Sequence, residues 1–265
     1  VVRCFEDDSV VHVDGGVDPL RDMETLSLEL ILADLETAQK RGEKARKMFK
    51  TGEKRYEQEA ALADRLVSHL NGEKPARLLR LDDEEKELMD GWHLLTDKPV
   101  IYAANLSEGD LGKELSQLPL AGLVASQARQ EGAEVILISA RIEEEIAGLP
   151  EEEKQQFLTE MGIGETGLDS LVSASYRLLG LISFLTVGED ECRAWTITRG
   201  TRAPQAAGKI HTDFERGFIR AEVVPFSTLR SLGTMAACRE KGLVRSEGKD
   251  YVMRDGDVTL FRFNV

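Results

Sequence analysis

Pro99-Val-Ile-Tyr-Ala-Ala-Asn-Leu-Ser-Glu108 is an apolar, β-branched run that gives way to polar residues. It predicts a short buried strand over Val100–Ala104 that opens into a loop at its C-terminal end. In an open α/β sheet that end is where ligands bind. Ala133–Ile138 (Ala-Glu-Val-Ile-Leu-Ile) repeats the pattern and runs into Ser139-Ala140-Arg141. Between them Leu120–Glu131 predicts a helix, with Pro119 just ahead and Gly132 ending it. Strand, loop, helix, strand, loop is the rhythm of a parallel α/β sheet.

Upstream, Val1–Phe5 predicts a strand and Val10–Val13 a strand or extended loop, followed by a turn at Asp14-Gly15-Gly16. Asp18-Pro19 opens a helix, Asp as the cap and Pro in the first turn. Met23, Leu26, Leu28, Leu30, Ile31 and Leu35 make its early part apolar on more than one face; Lys40, Arg41, Lys44, Arg46 and Lys47 then make it charged. After a break at Thr51-Gly52, Tyr56, Ala60, Ala63, Leu66 or Val67, and Leu70 recur at helical steps until Asn71-Gly72. Two helices joined by a short turn predict an antiparallel hairpin whose apolar stripe is too thin for a large core. It serves either as a solvated arm or as a recognition arm for a large partner. Leu81–Leu95 begins acidic, with Asp82-Asp83-Glu84-Glu85, as suits a helix N-terminus.

Downstream, Glu152–Met161 and Leu168–Leu179 predict two more helices. After Gly180 the texture changes to strands, at Leu181–Val187, Ala194–Thr198, Phe218–Val224 and Leu260–Val265, with a short helix over Ser227–Ala237. This predicts a small α+β domain beginning near Leu178–Leu181.

At 265 residues the chain suggests two or three units. No apolar run approaches the roughly 18–20 residues that span a bilayer, and Arg3, Glu6, Asp7 and Asp8 rule out a signal-peptide pattern at the start. The first residue is Val, in what reads as a strand, which suggests a fragment. Cys4, Cys192 and Cys238 are far apart and odd in number, and His12, His69, His93 and His211 do not cluster with them. Neither a disulfide framework nor a zinc site is expected, and a reducing cytoplasm is. The formal net charge of −14 argues against nonspecific coating of nucleic acid. From Leu178 onward, however, 13 Lys and Arg face 11 Asp and Glu, so the C-terminal third is the better candidate for meeting RNA.

No G-x-x-x-x-G-K-[ST] phosphate loop, G-x-S-x-G elbow, H-E-x-x-H or kinase set occurs in the chain. The carboxylate pairs Asp7/Asp8 and Asp82/Asp83 read as loop solvation and helix capping. Asn105-Leu-Ser-Glu108, however, stands where GTPase-type proteins carry Asn-Lys-x-Asp, and Ser139-Ala-Arg141 where they carry Ser-Ala-Lys. These are the two loops that meet the nucleotide base.

The chain resembles the YchF/Obg-like ATPase family, a branch of the P-loop NTPases, over essentially its whole length. The match lies in Val1–Asp7, Val13–Pro19, Ala33–Thr37, Gly72–Arg77, Asn105–Glu108 and Ser139–Arg141. It continues in Arg193-Ala-Trp-Thr-Ile, Ala203-Pro-Gln-Ala-Ala-Gly, Ile210-His-Thr-Asp-Phe-Glu-Arg-Gly-Phe-Ile and Gly256-Asp-Val-Thr-Leu-Phe-Arg-Phe-Asn-Val. The resemblance implies an α/β plus α+β chain: the C-terminal half of a parallel-sheet G domain, an inserted antiparallel helical hairpin, and a C-terminal TGS domain of β-grasp type. The expected bounds are 1–25 and 96–179 for the G-domain parts, 26–95 for the hairpin and 180–265 for the TGS-like domain. Family members carry the phosphate loop and Mg²⁺-binding switch upstream of the part that aligns with Val1. The chain alone is therefore expected to hydrolyse nothing, with no catalytic or metal-binding residue of its own. The intact protein is expected to be a cytoplasmic ATPase/GTPase that uses Mg²⁺ with ATP or GTP and associates with the ribosome or its RNA through the TGS domain and helical arm, without a membrane.

The residues expected at the base are Asn105, Leu106, Ser107, Glu108, Ser139, Ala140 and Arg141. Asn105 would tether loop and base edge, Ser139 and Ala140 would offer amides, and Leu106 would pack on the base. The usual Asp accepts hydrogen bonds from guanine N1–H and the 2-amino group; adenine has no such donor pair, so that carboxylate would be desolvated without return. Glu108, one methylene longer, and Leu106 in place of Lys predict that ATP is accepted at least as well as GTP. In the last domain, Arg193, Arg199, Arg202, Lys209, Arg216 and Arg220 are candidates for a phosphate-facing surface. His211 with Asp213 and Glu215 reads more simply as a hydrogen-bonded loop histidine than as an acid/base or metal site. The rival reading is a noncatalytic RNA- or protein-binding module built on the hairpin and the last domain.

Overall fold

The computed structural model describes residues 1–265 apart from 8, 11–14, 50, 51, 189, 190 and 265. Most of the expected Val10–Val13 segment, Asp14 of the expected turn and Thr51 of the hairpin break lie outside the described residues. In chain order the elements are β1 (Val2–Arg3), α1 (Pro19–Phe49), α2 (Lys54–Asn71), α3 (Asp83–Asp90), β2 (Ile101–Asn105), α4 (Pro119–Glu131), β3 (Glu134–Ile138), α5 (Ala140–Ile146), α6 (Glu151–Glu160) and α7 (Gly167–Leu178). They continue with β4 (Leu181–Val187), β5 (Cys192–Thr198), α8 (Ala203–Ile210), α9 (Thr212–Arg216), β6 (Phe218–Pro225), α10 (Phe226–Leu232), α11 (Met235–Glu240), β7 (Arg245–Glu247) and β8 (Asp257–Phe263). The chain divides into two compact units, Val1–Ala174 and Ser175–Val265.

In the first unit β1, β2 and β3 form a three-stranded parallel sheet with β2 in the middle. Successive side chains on β2 point to opposite faces. Ala104 joins Val2, Cys4, Met23, Leu118, Ala121 and Val124 in one core, and Ala103 joins Ile136 and Ala174 in another. Gly132 ends α4 at φ +69, the left-handed cap that favours glycine.

Asp18 opens α1 as expected, its carboxylate accepting from the Arg21 N–H at 3.1 Å. α1 then runs unbroken across residues 25 and 26, giving Met23 to the sheet core and Ile31 and Ala38 to the hairpin core. At Gly42 a Cβ would stand 3.1 Å from that of Ala63, so only a glycine lets α2 approach this closely without a shift. The hairpin core is larger than the thin stripe expected. Leu62, Leu66 and Leu70 of α2 are joined by Ala76, Met89, Trp92 and Leu94 from the segment that leads to β2. Asp34, only 2% exposed, fixes that segment. Its carboxylate accepts from the N–H groups of Leu95 and Thr96, both at 2.7 Å, and from the Thr96 hydroxyl at 2.6 Å. Asp82 and Glu85 close a reciprocal cap on α3.

The second unit is a five-stranded mixed sheet in the order β5-β4-β8-β6-β7. β4 and β8 run parallel and the other pairs antiparallel. α8 lays Ala203, Ala206 and Ala207 on one face, against Phe184, Ile197, Ala221, Val223 and Phe261. α10 and α11 cover Val224 and Val258 on the other face through Leu229, Leu232 and Cys238. The single helix expected over Ser227–Ala237 is two: Gly233 breaks it at φ +80, and Thr234 Oγ1 caps the next helix by accepting from the Ala237 N–H. Helices α5, α8 and α9 and strand β7 are additional to the expectation.

Candidate functional site

Because β1, β2 and β3 are parallel, the loops after them leave the sheet at one end. Register places Asn105 beside Arg3 on one neighbour and beside Ile138 on the other. Asn105 O accepts from the Cys4 N–H at 2.8 Å, and the Leu106 N–H donates to Ile138 O at 2.8 Å. The Asn105 side chain then reaches across: its Oδ1 accepts from the Ala140 N–H at 2.9 Å. One residue thus ties the loop after β2 to the first turn of α5.

The rest of the first loop is a compact turn. Ser107 Oγ donates to Asp110 at 2.7 Å, and Lys113 Nζ to the other oxygen of that carboxylate at 2.6 Å. Lys113 first and Ser107 second hold the Asp110 carboxyl below its usual range. Glu108 faces the second loop, where Arg141 Nε lies 2.5 Å from its Oε1 and 3.7 Å from Glu145 Oε1. Asp7, after β1, titrates below its usual range because the Ser9 hydroxyl and N–H bind it, with the charges of Arg3 and Arg141 adding to the effect.

Leu106 departs from expectation. It is 3% exposed and belongs to the core with Cys4, Ala104 and Leu118. Two residues beyond Ala104 on an alternating strand, it turns inward with it, so its side chain cannot serve as the surface on which a base packs. Ser139 is buried, and its Oγ has no hydrogen-bond partner among the described residues; Ala140 and Arg141 are exposed. Glu143 has a role that sequence reading missed. Its carboxylate accepts from the N–H groups of Gly167 (2.7 Å) and Leu168 (3.3 Å), seating the start of α7 beside α5. At Gly167 a Cβ would meet the Ile138 side chain at 2.8 Å, so the glycine permits this approach.

The six cations expected to form one surface do not. Arg193 stacks over Trp195 at 4.5 Å, on the sheet face that α8 covers. Arg199 and Arg202 line a shallow hollow with Thr198 and Gln205, and Arg202 pairs with Asp250 at 3.2 Å. Lys209 and Arg216 sit on α8 and α9. Arg220 precedes the core residue Ala221 and so points to the opposite face. His211 is a helix cap: its Nδ1 accepts from the Asp213 N–H at 3.2 Å. Among the described residues no group of three or more His, Cys, Asp or Glu could hold a metal ion. Nor is any described helix long and apolar enough to cross a membrane. A cavity of about 570 Å³ lies at the base of the hairpin, between Met23, Ile31, Leu78 and Glu131, and none of the loop residues above lines it.

A family model named YchF-GTPase_C, described as a protein of unknown function (DUF933), matches residues 181–264. The chain is 50% identical over 265 residues to the ribosome-binding ATPase YchF of Bacillus subtilis, spanning 100% of this chain and 72% of that protein. It is 41% identical over 267 residues to Obg-like ATPase 1 of Caenorhabditis elegans, spanning 99% and 67%. Among solved structures, the Schizosaccharomyces pombe YchF GTPase superposes with a TM-score of 0.80 at 34% identity, covering 98% of this chain and 70% of that one.

Proposed function

The chain belongs to the YchF/Obg-like ATPase family, and from that premise we propose that its parallel sheet carries the base-recognition half of a nucleoside triphosphatase site. The observation that carries this is the Asn105–Ala140 hydrogen bond, which fixes two loops at adjacent parallel strand ends into one edge. The exposed Ala140 turn and the Glu108 carboxylate border that edge and meet the purine. Leu106 contributes from the core, by setting the loop's height.

The base preference follows from what that edge lacks. A carboxylate free to take both donors of guanine would reward GTP. Glu108 is already engaged by Arg141, so GTP gains little over ATP, and ATP binds at least as well. The phosphates and Mg²⁺ are held by residues outside these 265, where water attacks the γ-phosphate under electrostatic stabilisation. The intact protein acts in the cytoplasm as a ribosome-associated regulator, with residues 180–265 as its TGS-type domain.

In the intact protein Asn105→Ala should weaken ATP binding, with the loss read by fluorescent-nucleotide titration. The 265-residue chain alone should release no phosphate from ATP or GTP. Turnover by the chain alone, or unchanged ATP affinity in the variant, would contradict the reading.

A further inference from the structure

We propose that the exposed part of the C-terminal sheet face beside α11 is a binding surface for the phosphodiester backbone of RNA, built from Arg220, Arg239 and Arg262 around Glu222. The inference rests on the ribosome-association reading and gives it a surface that keeps only Arg220 of the six cations named from the sequence.

It starts from register. In the antiparallel β6–β8 pair Arg220 stands opposite Arg262, and Glu222 opposite Leu260. Ala221, Val223 and Phe261 point into the α8-covered core, so the residues that alternate with them face the other way. Like charges directly opposite on neighbouring strands disfavour pairing. Glu222 offsets this. Its Oε1 accepts from Arg262 Nε at 3.0 Å and lies 3.5 Å from an Arg220 terminal nitrogen, and its Oε2 accepts from Arg239, on α11, at 3.0 Å. The Glu222 side chain is only 12% exposed, while those of Arg220, Arg239 and Arg262 are 53%, 48% and 49% exposed.

One carboxylate against three guanidiniums leaves this cluster with a formal charge of about +2, in a protein whose formal net charge is −14. The hydrogen bond from Arg262, reinforced by that from Arg239, holds the Glu222 carboxyl down to about 2, so it remains an anchor at neutral pH. Each guanidinium has five N–H donors and spends only part of them on Glu222. Arg220 and Arg239 line a hollow of about 310 Å³ together with Glu222, Arg245 and Ser246, and Arg262 stands opposite Arg220 on the neighbouring strand. Leu260, 37% exposed, is an apolar neighbour on the same face.

Planar forks suit phosphate oxygens two at a time. Several of them on adjacent strands suit a ligand that repeats its anion along a chain, which a single carboxylate does not. Glu222 acts as a positioning residue, aiming the three forks outward.

The test is fluorescence anisotropy of a labelled single-stranded RNA of mixed sequence with the 265-residue chain, over about 50–200 mM salt. Arg220→Ala with Arg262→Ala, and Arg239→Ala separately, should each weaken binding across sequences. The slope of log K against log salt should become shallower by about 0.7 per arginine removed. Thermal melts should show the variants folded, since Glu222 keeps Arg239 as a partner in the double variant and Arg262 in the single one. RNA binding unchanged in folded variants overturns the proposal, as does binding lost only on reversing Arg199 and Arg202; in either case ribosome association can still stand. Preference for polyglutamate over RNA overturns it in favour of an acidic protein partner. If neither RNA nor ribosomes bind the unsubstituted chain and the intact protein, the ribosome reading fails as well.

Discussion

The guanidinium of Arg141 lies 2.5 Å from the carboxylate of Glu108, joining the loop after β2 to the first turn of α5. Both side chains are partly solvated, and such pairs contribute roughly 0–1 kcal/mol. That is small for folding but enough to tilt a choice between two purines. Arg141→Ala should free Glu108 and raise the ratio of GTP to ATP affinity by up to about fivefold in the intact protein. Adding Glu108→Gln should erase the change. A ratio that does not move in the single variant would show that the pair takes no part in base choice.

Asn105 should matter through one oxygen. Asn105→Ala strands the Ala140 N–H and should destabilise the first unit by about 1 kcal/mol. Faster hydrogen exchange at Ala140 would report it directly. Asn105→Asp keeps the acceptor and should largely preserve protection there, so equal loss in both variants would point to a different cause.

Asp34 is the residue whose removal should hurt folding most. Asp34→Ala leaves the N–H groups of Leu95 and Thr96 and the Thr96 hydroxyl without their acceptor in a buried place. The expected loss is about 3 kcal/mol or more, seen as a lower midpoint in urea. Asn at this position retains one acceptor oxygen and should lose less.

Acid should act on the second unit through Glu222. Its folded value, about 2, lies below its ordinary 4.5, so the unfolded state binds the proton more readily. The stabilisation is complete above about pH 4.5 and is lost as pH falls toward about pH 2. Glu222→Gln should flatten this part of the stability curve when unfolding is followed by Trp195 fluorescence. An acid limb that keeps its shape would remove Glu222 from the account.

How much of this could be read in the chain depended on distance along it. The strands over Val100–Ala104 and Ala133–Ile138, the helix start at Asp18 and the acidic cap at Asp82 are local patterns, and the structure realises them as β2, β3, α1 and α3. The direction of Leu106 is set by the core beneath β2, not by its neighbours in sequence. The arginines of the last domain carried a charge signal without a face. The β6–β8 register sets Arg220 beside Arg262, and the α8-covered core, which takes Trp195 and Ala221, parts it from Arg193. Asp34 and Glu143 looked like two more acids on charged helices, and their roles arise from N–H groups some 61 and 24 positions away. Helix α8 was hidden by its own composition, since Ala203-Pro-Gln-Ala-Ala has no large apolar residue to mark the face it buries.

The most direct test of the central claim is a matched titration of ATP and GTP on the intact protein at one salt and Mg²⁺ concentration. An edge bordered by Ala140 and an Arg141-engaged Glu108 predicts that ATP binds at least as tightly as GTP. Tenfold tighter binding of GTP would contradict it.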